Sequence, residues 1–142
     1  MKHKIIAMLA ACALLLGGCG GKGQIMDGPD MVRSFTQISQ EEAREMMARD
    51  DGHVILDVRR FDEFDAGHIP GAVCIPNESI TDTQPEGLPD LDQIILVYCR
   101  SGRRSKEAAQ KLFDIGYSRV YEFGGIIDWT GEIETPAPEG DR

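Results

Sequence analysis

The chain has few histidines and cysteines, the residues that most often hold zinc and other transition metals. Its 142 residues include 3 histidines and 4 cysteines, and none of the cysteines has the paired spacing of a zinc site. Only His53 and His68 lie beyond the N-terminal segment. The sequence therefore predicts no metal site, and no pattern in it calls for another cofactor.

Basic residues are also scarce. The chain has 15 lysines and arginines against 24 aspartates and glutamates, a formal net charge of −9 at pH 7. A nucleic-acid-binding surface requires a basic face, so the composition argues against a nucleic-acid partner. Residues 99–105 are nevertheless basic, and a basic loop in an acidic chain indicates a small anionic substrate. The length allows one domain.

The N-terminal apolar run is too short to span a bilayer comfortably. Residues 5–16 follow the basic residues Lys2 and Lys4, and a membrane helix needs about 20 apolar residues. A short apolar segment behind a basic start is typical of a signal peptide.

The end of this segment resembles the lipobox of bacterial lipoproteins. Residues 16–19 have the sequence LGGC, and in such proteins the cysteine, here Cys19, is diacylated and becomes the new N-terminus. A rival box, residues 9–12, leaves little apolar core before it. We expect an extracytoplasmic lipoprotein attached to the cell membrane through Cys19, because two acyl chains anchor stably. An ordinary secretory peptide with an incidental cysteine is the alternative.

This interpretation divides the chain into four parts. Residues 1–18 are the signal peptide, and residues 19–34, rich in glycine and without periodicity, are a flexible tether. Residues 35–134 form the folded domain. Residues 135–142, rich in proline and acidic side chains, form a disordered tail.

The most informative stretch of the chain is a strand followed by a helix. Residues 94–98 (IILVY) are uninterruptedly apolar, which is typical of a parallel strand covered on both faces. Residues 105–115 have helical apolar spacing, and Gly116 follows as a C-cap. The loop between them lies where α/β folds place ligands, and its free backbone N–H groups favour an anion.

Cys99 begins this loop and is the candidate nucleophile. We expect its pKa to be lowered, because a helix N-terminus and the cations Arg100, Arg103 and Arg104 all favour thiolate over thiol. The alternative is a buried structural cysteine, although packing alone hardly explains three arginines so close to it.

Other segments predict an alternation of strands and helices. A capping box of Ser39 and Glu42 predicts a helix that runs through Arg49. The expected strands are residues 35–38, 54–58, 72–76 at an edge, and 117–123.

Three sequence blocks together resemble the rhodanese family of sulfurtransferases. The loop CRSGRRS at residues 99–105 is similar to the family's active-site loop. The other blocks are DVR, EF and GHIPGA at residues 57–59, 63–64 and 67–72, and GGIIDW at residues 124–129. The blocks span roughly residues 36–134, and their order and spacing resemble those of single-domain thiosulfate sulfurtransferases.

The resemblance implies a fold and a chemistry. The fold is a three-layer α/β structure, with a central, mainly parallel five-stranded sheet flanked by helices. The activity is transfer of a sulfane sulfur from thiosulfate or a similar donor to a thiophilic acceptor, which the sequence does not identify, through a persulfide on Cys99. The implied donor-binding residues are Arg100, Ser101, Gly102, Arg103 and Arg104.

The resemblance also suggests supporting roles. Asp57 is expected to support the active loop, with Arg59 beside it, although a structural ion pair between Arg59 and Glu63 is at least as plausible. His68 is expected to be a structural turn residue. Cys74 raises the possibility of a disulfide with Cys99, but a small buried side chain is the favoured interpretation.

Two other classes compete with this interpretation. A phosphatase or arsenate reductase of the related loop type would have Cys-x5-Arg, whereas Arg104 closes Cys-x4-Arg here, a loop suited to a sulfur atom. A non-catalytic rhodanese-like binding module is the other rival. The retained Cys99 and arginines argue against it.

Overall fold

A computed structural model describes residues 34–136 of the chain. The predicted signal peptide, Cys19, nearly all of the predicted tether and residues 137–142 of the predicted tail lie outside this range. Within it, no helix is both long and apolar enough to cross a membrane.

A five-stranded sheet, all of whose strand pairs are parallel, forms the centre of the described region. The strand order is β1-β5-β4-β2-β3, with these bounds: β1 Thr36–Gln37, β2 Val54–Asp57, β3 Val73–Cys74, β4 Ile94–Cys99 and β5 Arg119–Gly125. The apolar strand β4 is in the middle, between β5 and β2. This arrangement confirms the predicted α/β class, and the strand expected at an edge, β3, lies at one.

Three α-helices connect or cover the strands: α1 Gln40–Met47, α2 Phe61–Asp65 and α3 Arg103–Ile115. The predicted capping box at the start of α1 is present, since the backbone N–H of Glu42 donates to the Ser39 hydroxyl and that of Ser39 to the Glu42 carboxylate. Helix α1 ends at Met47 rather than at the predicted Arg49. Two short 3₁₀ helices, Asn77–Ser79 and Ile126–Asp128, complete the elements.

The sheet has an apolar layer on each face. Helix α3 packs on one face, where Leu112 joins Val97 and Val120 in a buried cluster. On the other face, Ala43 of α1 contacts a cluster that includes Leu96 and Phe123. Alternate residues of β4 thus enter opposite layers, which explains its uninterrupted apolar sequence.

Parallel pairing brings the carboxyl ends of β2, β4 and β5 to one edge of the sheet. Asp57 is aligned with Tyr98, and Cys99 with Gly125. The register shifts between Val97 and Cys99, and such irregularities commonly redirect side chains near functional sites. This edge therefore collects the residues singled out in the sequence.

Candidate active site

Cys99 is the last residue of β4, and its side chain is 1 % exposed. The chain then turns through Gly102, whose φ of 98° lies in the left-handed region that favours glycine. This turn directs the Gly102 N–H toward the Cys99 Sγ, at an N···S distance of 3.1 Å. Helix α3 begins at the next residue, so the sulfur lies where backbone N–H groups converge.

The environment of Cys99 lowers the pKa of its thiol. Burial raises the pKa, but hydrogen bonds from the Ser105 hydroxyl and from the backbone N–H groups of Ser105, Gly102 and Ser101 outweigh it. The predicted direction is therefore right, whereas the predicted cause is only partly so. Hydrogen bonds at the start of the helix lead, and the arginine charges are not among the leading causes.

A close backbone contact holds the loop against β5. A Cβ atom at Gly125 would collide with the carbonyl oxygen of Arg100 and lie 2.6 Å from the Cα of Ser101. The Arg100 carbonyl also accepts a hydrogen bond from the Ile127 N–H at 3.2 Å. The second glycine of the GG block is thus required because two backbone segments meet there.

Arg104 is held by an acidic partner. Its two terminal nitrogens donate to both carboxylate oxygens of Glu63, at 2.8 and 2.9 Å. This pair holds the pKa of Glu63 at about 2. The guanidinium therefore has a fixed position in the wall of the site, joining α3 to α2.

The ion pair between Arg59 and Glu63, an alternative considered from the sequence, is not among the ion pairs of residues 34–136. Arg59 instead donates to the buried carboxylate of Asp57 at 2.6 Å and to the carbonyl of Gly67 at 2.7 Å. Glu63 is occupied by Arg104, which approaches it from α3. Asp57 and Arg59 thus join the end of β2 to the turn at Gly67, and no hydrogen bond of the described residues joins either side chain to residues 99–105.

A polar cleft of about 340 Å³ opens over the loop. It is lined by Arg60, Glu63, Glu78, Arg100, Ser101, Arg103 and Arg104. The Arg103 side chain is 80 % exposed, and it pairs loosely with Glu107 at a distance of 3.8 Å. Arg100 is exposed as well. These two arginines can therefore meet an anion that enters from solvent, whereas Arg104 lies deeper.

The structure adds two buried polar residues that the sequence did not identify. Ser105 is fully buried, and its hydroxyl lies 2.5 Å from a carboxylate oxygen of Glu122 and 3.5 Å from the Cys99 Sγ. Glu122 is 2 % exposed. The available signal was an acidic residue between the aromatic residues Tyr121 and Phe123 in a predicted strand.

His68 lies in the turn, as predicted. Its ring stacks on Phe64 at a centroid distance of 3.7 Å, and its Nδ1 lies 2.9 Å from the Phe64 carbonyl oxygen. Its backbone also pairs with that of Glu134. These contacts give His68 a structural function.

Cys74 and Cys99 are both free thiols in the structure. Cys74 is aligned with Asp57, which is aligned with Tyr98, so β2 separates the two cysteines. Two strand spacings amount to about 10 Å, beyond the roughly 7 Å that a disulfide can bridge. Burial also raises the pKa of Cys74 to about 11. The disulfide considered from the sequence does not fit this geometry.

No group of three or more histidine, cysteine, aspartate or glutamate side chains within residues 34–136 is arranged to hold a metal ion. The site contains the Cys99 sulfur, the N–H groups around it and the arginines of the cleft.

The fold and the site define an α/β protein with a buried cysteine that accepts a hydrogen bond from a strand-to-helix loop, under a basic cleft. The model of the Rhodanese-like domain matches residues 39–132, and the chain belongs to that family. It is 38% identical over 99 residues to the thiosulfate sulfurtransferase GlpE of Pseudomonas syringae pv. syringae, covering 69% of this chain and 90% of that one.

Other relatives are longer than this chain. The chain is 37% identical over 102 residues to YrkF of Bacillus subtilis, covering 71% of this chain and 54% of that protein. A crystal structure of a thiosulfate sulfurtransferase from Pseudomonas aeruginosa aligns with a TM-score of 0.63 and 29% identity, covering 71% of this chain and 20% of that one. The chain thus belongs to a sulfurtransferase family and spans only part of some of its relatives.

Proposed function

We propose that this protein is a sulfurtransferase that carries a sulfane sulfur as a persulfide on Cys99. The donor is thiosulfate or a similar small anion, and the acceptor is a thiophilic nucleophile. The observation that carries the proposal is the Gly102 N–H, which donates to the Cys99 Sγ at 3.1 Å at the start of α3. The GlpE relative is named a thiosulfate sulfurtransferase, which supports the same activity here.

The first half-reaction loads the cysteine. The Cys99 thiolate attacks the outer sulfur of thiosulfate, a new S–S bond forms, and the donor's S–S bond breaks. Sulfite leaves with the electron pair of that bond. Arg100 and Arg103, at the cleft, would bind the anionic donor, while Ser101 and Gly102 supply N–H groups near the sulfur.

The second half-reaction transfers the sulfur from Cys99 to the acceptor. The acceptor attacks the terminal sulfur, the S–S bond to Cys99 breaks, and the thiolate is regenerated with that electron pair. Between the two steps the terminal sulfur carries negative charge, which the converging N–H groups stabilise as they would an oxyanion. Arg104, fixed by Glu63, adds a positive charge on the cleft side.

The test is intact-mass spectrometry of the reduced full chain before and after incubation with thiosulfate. We expect a gain of one sulfur atom, about 32 Da, that cyanide removes. Cys99→Ala should abolish the gain, whereas Cys74→Ala should keep it. Absence of the gain in the wild-type protein would favour the non-catalytic binding module or a different donor, and a gain retained in Cys99→Ala would refute the assignment of the cysteine.

The phosphatase alternative predicts another result. Its loop would be one residue longer before the arginine, and here Arg104 is already occupied by Glu63. Release of phosphate from p-nitrophenyl phosphate, lost in Cys99→Ala, would support the alternative. We expect no such release.

We also propose that Cys19 carries a lipid anchor that holds the domain at the extracytoplasmic side of a membrane. The support is the LGGC sequence after the apolar residues 5–16. Globomycin, which inhibits lipoprotein signal peptidase, should make the unprocessed precursor accumulate. Cys19→Ala should remove the protein from the membrane fraction, whereas Cys12→Ala should not. Processing that globomycin leaves unchanged would contradict the anchor.

A further inference from the structure

Glu122 is a buried carboxylate behind the reactive cysteine. It projects from β5, is 2 % exposed, and forms no ion pair within residues 34–136. A buried acidic group without a cation is costly unless hydrogen bonds compensate it. Such a group beside an active loop requires an explanation.

Three hydrogen bonds hold the carboxylate. The Ser105 hydroxyl donates to Oε1 at 2.5 Å, the Gly124 N–H donates to the same oxygen at 2.9 Å, and the Gln37 side chain donates to Oε2 at 3.2 Å. These partners come from α3, β5 and β1, and all are neutral. In the cleft, Arg104 is paired with Glu63.

Ser105 stands between the carboxylate and the thiol. Its oxygen lies 2.5 Å from Glu122 and 3.5 Å from the Cys99 Sγ, and the carbonyl oxygens of Gly102 and Gly124 lie 3.1 and 3.4 Å away. A hydroxyl has a single proton to donate, and the Glu122 carboxylate is the acceptor at the shortest distance. When that proton points to Glu122, the serine oxygen can only accept a hydrogen bond from the Cys99 S–H. When Cys99 is a thiolate, both anions compete for the same proton.

We propose that Glu122, acting through Ser105, is a positioning residue that restrains ionisation of the bare Cys99 thiol. The short hydrogen bond draws the Ser105 proton toward the carboxylate, so the hydroxyl stabilises the thiolate less than it would without Glu122. The negative charge of Glu122 also repels the negative charge of a Cys99 thiolate, which raises the free energy of ionisation.

The restraint is weaker once the cysteine carries sulfur, a consequence that rests on the proposed function. In the persulfide the inner sulfur is neutral, and the charge lies on the outer sulfur, about 2 Å further along the S–S bond. A donor enters through the cleft, so the outer sulfur lies on the side of the loop away from Glu122. Glu122 therefore favours the persulfide over the free thiolate of Cys99. The free thiolate is the form of the cysteine that oxidants attack.

The test follows the rate of Cys99 alkylation by iodoacetamide against pH, measured on the Cys99 peptide of the reduced full chain by mass spectrometry. Glu122→Gln removes the charge and keeps the shape, so the profile should move about one pH unit lower, with a rate about tenfold higher at acidic pH. Glu45→Gln, an exposed carboxylate on α1, is the matched control and should not move it. An unchanged profile, or a shift to higher pH, would overturn the proposal.

Two further variants distinguish the effect of the Ser105 hydrogen bond from the effect of the Glu122 charge. The first of them also tests the proposal if the Glu122→Gln protein fails to fold. Glu122→Asp retains the charge but withdraws the carboxylate from Ser105, so it should also move the profile lower. In a Ser105→Ala background, Glu122→Gln should shift the profile much less than in the wild type. An equal shift in both backgrounds would show that Ser105 is not the link.

A separate measurement concerns the loaded form. Protein loaded with thiosulfate is titrated with sulfite at pH 8, and the fraction that retains sulfur is read from the intact mass. Glu122→Gln should lose its sulfur at about threefold lower sulfite than the wild type, and equal loss would contradict the preference for the loaded form. A wild-type protein that never loads would argue against the proposed function, whereas the alkylation profiles test Glu122 regardless.

Discussion

Replacing Glu63 by glutamine should destabilise the domain, because the substitution breaks the pair that connects α2 to α3. Glu63→Gln keeps the size of the side chain and removes its charge. Arg104 then remains, with its side chain only 16 % exposed, without a charged partner. Removing one member of a partly buried pair costs more than the net contribution of the pair, because the other charge stays desolvated.

The size of the effect follows from the pKa of Glu63. The pKa falls from 4.5 to about 2, chiefly through the hydrogen bonds from Arg104 and with a smaller contribution from Arg60. Each pKa unit corresponds to about 1.4 kcal/mol, so the upper bound is about 3 kcal/mol. Water reaches part of the pair, since the Glu63 side chain is 20 % exposed. Screening reduces the expected loss to about 1–2 kcal/mol.

The dependence on pH gives a second check. The folded pKa lies below the unfolded one, so the stabilisation is complete above about pH 5 and is lost as pH falls toward 2. Urea unfolding of wild type and Glu63→Gln at pH 7 and pH 3 should show a difference that falls to less than half at the lower pH.

Asp62→Asn is the matched control. The pKa of Asp62 is also lowered to about 2, by Arg60, but its side chain is 66 % exposed. We therefore expect no measurable loss of stability. Equal stability of Glu63→Gln and wild type at pH 7, or a difference that does not change with pH, would refute the structural role of the pair.

Three further predictions concern the loop. Cys99 should react with iodoacetamide at lower pH than an ordinary cysteine, because hydrogen bonds lower its pKa; Cys74, whose pKa burial raises to about 11, is the internal control, and equal profiles would contradict the prediction. Arg100→Ala and Arg103→Ala should each raise the KM for thiosulfate about three- to tenfold with little change in kcat, since both are exposed at the cleft; a fall in kcat alone would show another role. Gly125→Ala should cost about 3 kcal/mol in urea unfolding, the upper range for overpacking, because the added methyl meets the Arg100 backbone; a loss below about 1 kcal/mol would contradict the close contact.

Local sequence patterns predicted most of the elements. The apolar run at β4, the capping box at Ser39 and the glycine after α3 each act over a few residues, so their consequences can be derived without the fold. The residues at which the helices and strands end were predicted less accurately. Helix α1 stops at Met47, and β5 runs to Gly125 instead of residue 123, because the pairing of Cys99 with Gly125 extends that strand.

The partners of the charged residues could not be predicted in the same way. Arg59 and Glu63 are close in sequence, which suggested an ion pair. Arg59 instead pairs with Asp57, two positions before it, and Glu63 pairs with Arg104, 41 positions after it. Such pairs depend on how helices are placed over the sheet edge. The Ser105 contact with Glu122 joins residues 17 positions apart on different elements, so it too required the fold.

The contact between Gly125 and the backbone of Arg100 limits how this loop could change. A phosphate-sized loop needs one more residue between the cysteine and the arginine, and β5 limits the space for it on one side. On the β5 side even a single methyl group has no space. An insertion on that side would require β5 to move as well, so a strand that contributes no side chain to the cleft limits how far the loop can widen.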